Sequence, residues 1–112
     1  MAKVKLSVKN DYAEGVVIIN ASTKINRSGT ITTGGTAQQL MAANGARLGW
    51  QLQNISAGDL WFNELGDAAI TGQPSFKLVP GQAYESPLGG TSTSAISVIG
   101  ATTGQAFVAR EW

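Results

Sequence analysis

Apolar and polar residues alternate with a period of two along most of this chain, the spacing that sends successive side chains to opposite faces of a strand. Val4, Leu6 and Val8 interleave with Lys3, Lys5, Ser7 and Lys9, which predicts a first strand with one buried and one wet face. Its lysines read as a solvated face that discourages edge-to-edge pairing; the sharper alternative is a basic stripe that docks on an acidic partner. Asn10 and Asp11 mark a turn. After Gly15, the β-branched run Val16-Val17-Ile18-Ile19 is apolar on both faces, as expected of a covered second strand. From Asn20 to Gly35 the chain is rich in Ser, Thr and Gly, with only Ile25 and Ile31 as large apolar residues. That composition predicts a polar loop around 20–35 with one weak strand, a candidate for partner contact.

Thr36 to Ala43 is the one place where helix formers dominate, with Thr36 as a possible N-cap and Gly45 as a stop. Against a helix, the segment is short, and Asn44-Gly45 is a hairpin signal leading into Leu48, Trp50 and Leu52, which alternate with Gly49, Gln51 and Gln53. The segment is therefore read as a strand. Beyond Asn54 the punctuation is regular: a turn at Ser56 to Asp59, a strand Leu60 to Asn63, a looser stretch Glu64 to Pro74, and a strand Phe76 to Val79. Pro80-Gly81 is a type II turn pair, because proline presets φ at the first central position and glycine accepts positive φ at the second. Strands Gln82 to Ser86, Ala95 to Ile99 and Gln105 to Arg110 follow, separated by a Pro87 to Ser92 loop and a Thr102-Thr103-Gly104 turn. About nine or ten short strands without a crossover helix or an internal repeat predict an all-β single domain over 1–112, a β-sandwich or jelly roll.

Charged residues make up 13% of the chain, about half the usual share of roughly 25%. The surface must be largely uncharged and polar, which suits protein contact because few ionic groups need desolvation. A net charge of +1, with no run of basic residues, argues against nucleic acid as a partner. No segment has the ~18 apolar residues of a membrane helix, and the N-terminal residues lack a signal-peptide pattern, so synthesis as a soluble cytosolic protein is expected.

Histidine and cysteine are absent, which removes the commonest general base, thiol nucleophiles, disulfides and most zinc ligands. The seven acids show no spacing that marks a catalytic pair or a calcium loop. Gly34-Gly35 and Gly89-Gly90 read as turns, since neither sits between a strand and a helix with the lysine a phosphate cradle needs. No enzyme activity, cofactor or metal is expected. Among the aromatics, Trp50 shares a face with Leu48 and Leu52 and belongs to the core. Trp61 points opposite Leu60 and Phe62 and is the better exposed anchor, while Trp112 either docks on a neighbour or caps the core.

The arrangement Arg47-Leu-Gly-Trp-Gln-Leu-Gln-Asn54, Asp59-Leu-Trp-Phe-Asn63, Phe76-Lys-Leu-Val-Pro-Gly81 with Tyr84-Glu85, Ala95-Ile-Ser-Val-Ile-Gly100 and the closing Ala109-Arg-Glu-Trp112 resembles small structural proteins of tailed bacteriophages. Within that group it looks most like capsid decoration, cement or staple proteins; the likeness covers about the C-terminal two-thirds. The resemblance implies a jelly-roll β-sandwich on the outer surface of the phage head, bridging major capsid protein subunits without catalysis. A homo-oligomer follows from shell symmetry, a dimer first and a trimer second. The alternative is a tail or fibre module that recognises a host cell-surface glycan through Trp61, Tyr84 and polar loops. Candidate partner-contact residues are Lys3, Lys5, Lys9, Arg27, Trp61, Tyr84, Arg110 and Trp112.

Overall fold

Nine short strands carry residues 23–112, the part of the chain that the computed structural model describes. They are β1 (Ile25–Asn26), β2 (Gly29–Thr30), β3 (Gln38–Met41), β4 (Trp50–Asn54), β5 (Leu60–Asn63), β6 (Phe76–Leu78), β7 (Ala83–Glu85), β8 (Ile96–Gly100) and β9 (Ala106–Glu111). The strands expected at 4–8 and 16–19 lie outside the described residues. No helix among the described residues is long and apolar enough to cross a membrane.

The strands form two antiparallel sheets. In the first, β9 pairs with β1 and β2 on one side and with β4 on the other, and β4 pairs with the edge strand β7. The second runs β3-β8-β5-β6. The pairs β2–β9, β3–β8, β4–β7 and β5–β6 are nested in sequence and alternate between the sheets, so the chain behaves as one long hairpin rolled up on itself.

Period-two patterning explains the core. Trp50, Leu52 and Asn54 face inward opposite Glu111, Ala109 and Phe107 on β9. They meet Leu60, Phe62, Leu78, Ile96 and Val98 from the second sheet. A bulge in β3 inserts Leu40 between Gln39 and Met41, so both Leu40 and Met41 are buried where strict alternation would bury one.

Three sequence expectations need correction. Asn44-Gly45 does turn the chain, with the Arg47 N–H donating to the Asn44 carbonyl at 3.1 Å, but β3 and β4 belong to different sheets and form no hairpin. Leu48 is 45% exposed because β4 starts at Trp50, past the point where the interior ends. The polar stretch before Gly35 holds two short strands on β9, and its Ile31 is a core residue at 1% exposure. The type II turn is as expected: Gly81 has φ of 86° and the Gln82 N–H donates to the Val79 carbonyl at 2.9 Å.

Buried polar side chains pin the loops. The Asn54 amide donates to the carbonyls of Gly58 at 2.7 Å and Leu78 at 2.9 Å, while its oxygen accepts from the N–H and hydroxyl of Ser56. Gln105 does the same at the next turn, donating to Asp59 and Ser56 and accepting from the Thr102 N–H. Gly34 is packed so closely that a Cβ there would meet the Ala101 carbonyl oxygen at 2.4 Å. Because that neighbour is backbone, Gly34→Ala is expected to cost about 1–3 kcal/mol in thermal unfolding.

Candidate functional site

Among the described residues, β6 and β7 are edge strands of their respective sheets and are joined by the Pro80-Gly81 turn, so one side of the described fold presents two strand edges. Between them sits an aromatic cluster. Trp50 meets Phe62 edge-on, with centroids 5.2 Å apart and planes at 82°, and the Tyr84 ring lies 4.9 Å from Trp50 and 4.8 Å from Phe62. Phe76 stacks on Phe62 at 5.6 Å, pointing inward as its alternation with Lys77 requires, yet it is 63% exposed. Among the described residues, no further element covers this inward-facing aromatic at the edge.

Acidic groups flank the rings. The half-buried Glu64 accepts the Trp50 indole N–H at 3.1 Å. Burial, together with the negative charge of Glu64, raises the Tyr84 hydroxyl above its ordinary pKa. Glu85 projects from the outer face and accepts from the Gln51 amide at 3.0 Å.

Among the described residues, the backbone of β7 also lacks a strand partner on its outer side. The Ser86 N–H donates to the Trp50 carbonyl and the Asn54 N–H to the Gln82 carbonyl, so the even-numbered residues of this strand face β4. The N–H and C=O groups of Ala83 and Glu85 therefore point away from the sheet, two residues apart, as a ready acceptor for a further strand. Behind this edge the outer face of the first sheet forms a shallow depression of about 380 Å³ lined by Gln51, Gln53, Ala83, Glu85, Val108 and Arg110.

The residues singled out from sequence do not converge on one patch. Lys3, Lys5 and Lys9 lie outside the described residues. Arg27 is engaged internally, its Nε donating to the Glu111 carboxylate at 2.6 Å. Trp61 does point outward from the second sheet, half-buried, with the Lys77 ammonium 5.6 Å from its ring centre. Tyr84 turns inward against the core, although it lines the open edge. Arg110 is exposed on the outer face of the first sheet. Trp112 folds back on its own chain: its backbone exchanges hydrogen bonds with Gly49 at 3.0 and 3.1 Å, and the Lys24 ammonium sits 3.9 Å from its ring centre. Sequence reasoning missed Phe76, Glu64 and Glu85, whose importance comes from lying at an edge rather than from their local pattern.

Compared with protein-family models, curated proteins and solved structures, the chain matches none.

Proposed function

We propose that this protein is a virion structural protein, a capsid decoration or cement protein that binds the outside of a phage head and bridges major capsid subunits. The observation that carries the reading is the β6–β7 side, where an exposed inward-facing aromatic and a strand edge unpaired among the described residues adjoin a sheet face lined by Gln51, Gln53, Glu85 and Arg110. Such an edge offers main-chain pairing and apolar contact together, and repetition over a shell turns weak contacts into avidity. The nested, sheet-alternating strand pairs support a jelly-roll fold, an architecture at home in capsid proteins. Self-association into a dimer, or failing that a trimer, fits the symmetry axes of a shell.

The glycan-binding reading draws less support. Trp61 and Tyr84 belong to different sheets and face outward and inward respectively, so they build no common platform for a sugar.

Quantitative mass spectrometry of gradient-purified phage particles tests the proposal. The expected result is a copy number comparable with that of the major capsid protein. A few copies per particle would transfer the protein to the tail or fibre, and absence from the particle would overturn a structural role.

A further inference from the structure

We propose that the Asn44-Gly45 turn is a site of spontaneous deamidation, and that the carboxylate it creates loosens the buried network around Glu111.

The groups that the reaction needs meet at this turn. The nucleophile is the Gly45 backbone nitrogen: it lies in an exposed turn, no acceptor among the described residues takes its N–H, and glycine brings no side chain to shield it. The electrophile is Asn44 Cγ. Its Oδ1 accepts from the Ala46 N–H at 3.0 Å, an Asx turn whose donor faces the oxygen that carries negative charge once the nitrogen has added. The leaving group is the Asn44 amide nitrogen, which donates to Glu111 Oε1 at 3.2 Å. Asn44 is the one asparagine of the chain that precedes a glycine. Asn54 makes the contrast: it is wholly buried, its amide is held by two carbonyls, and the branched Ile55 follows it.

Hydroxide takes the Gly45 amide proton as the nitrogen bonds to Asn44 Cγ and the carbonyl electron pair moves to Oδ1. The pair returns, the Cγ–Nδ2 bond breaks, and ammonia leaves with a proton from water. Water then opens the succinimide at either carbonyl, leaving aspartate or isoaspartate at position 44. Both products act on the same network. Where an amide now donates to Glu111 Oε1, a second carboxylate faces it, acceptor against acceptor. Arg47 is already committed to Glu111 and to the carbonyls of Ala42, Ser92 and Ser94. Isoaspartate also reroutes the main chain through the side chain, and so displaces the carbonyl that accepts the Arg47 N–H at 3.1 Å.

Full-length protein is kept at mildly alkaline pH and sampled over days, with peptide mapping for the amide-to-acid mass gain and a parallel sample held unfolded in urea. The expected result is conversion at position 44 in the folded protein, none at Asn54, and severalfold slower conversion in Gly45→Ala. That variant keeps the turn, since a Cβ there meets no atom within 4 Å and the residue does not lie at positive φ. No conversion in the folded protein, with ready conversion in urea, would show that the fold holds the amide away from the nitrogen and would overturn the proposal. The effect on the network is read separately. Asn44→Asp is expected to lower the urea midpoint, and to lower it less in a Glu111→Gln background, whose amide can donate to the new carboxylate. Equal shifts in the two backgrounds overturn the link to Glu111. So does an unchanged midpoint for the converted fraction of the aged wild-type sample, separated by ion exchange. Isolated protein suffices for every readout, so failure here leaves the particle copy number as an independent measurement.

Discussion

Arg47→Ala is expected to lower the unfolding free energy by about 3–5 kcal/mol, the cost of removing one partner from a buried ionic network. Arg47 is 4% exposed and Glu111 1%. The guanidinium Nε donates to Glu111 Oε1 at 2.9 Å, and its other nitrogens donate to the carbonyls of Ala42, Ser92 and Ser94. One side chain thus ties the end of β9 to two loops on different parts of the chain. Its loss takes their donor from three carbonyls at once and leaves the carboxylate with Arg27 and Asn44 alone. For a domain whose total stability is of the order of 5–15 kcal/mol, such a change is visible as a large drop in the urea midpoint. Retention of wild-type stability by the variant would mean that water replaces the arginine without penalty and that the network is ornamental.

The same network predicts acid sensitivity. Burial pushes the Glu111 carboxyl up, but hydrogen bonds from Arg47, Arg27 and Asn44 outweigh it, and the net pKa lies below the ordinary 4.5. The folded state therefore binds this proton less readily than the unfolded chain does. The stabilisation is fully present above about pH 4.5 and is lost as pH falls through the lower folded value. Glu111→Gln removes this contribution: the variant is less stable at neutral pH, and its stability falls less steeply on acidification. Equal acid slopes in the two proteins would remove Glu111 from the account.

Trp50→Ala is expected to cost a similar amount, about 3–5 kcal/mol, for a different reason. The ring is wholly buried and touches both Phe62 and Tyr84, so truncation leaves a cavity in the centre of the aromatic cluster. Trp50→Phe keeps most of the packing but removes the indole donor to Glu64, and is expected to cost about 1–3 kcal/mol. Chemical unfolding followed by the fluorescence of Trp61 and Trp112 separates the two variants. Equal losses would assign the whole effect to the hydrogen bond and none to the cavity.

Much of the architecture is legible along the chain because it depends on local alternation. Trp50 to Asn54, Leu60 to Phe62 and Ala106 to Glu111 each show the period of two that the sheets bury. Pro80-Gly81 states its own turn type. Where alternation failed, a non-local cause intervened. The bulge in β3 exists only against β8, and it buries Leu40 and Met41 together. The Asn44-Gly45 turn looked like a hairpin because turn residues report a change of direction, not which sheet receives the next strand. Arg27 read as a surface cation because nothing nearby in sequence reveals Glu111, 84 residues away.

The open edge shows the same division. Phe76 carries the pattern of a core residue, and its ring does point inward; that it is 63% exposed follows from where β6 and β7 end their sheets. Its acidic neighbours, Glu64 and Glu85, look like ordinary solvated charges until the fold places them at that edge. By itself, then, the chain determined its class: an all-β domain of short strands with a low-charge surface, since period, turn chemistry and composition are local or summed properties. Only the tertiary structure decided which strands are neighbours, which charges are buried and which strands lie at the edges of the described sheets, because each of these depends on contacts between residues far apart in sequence.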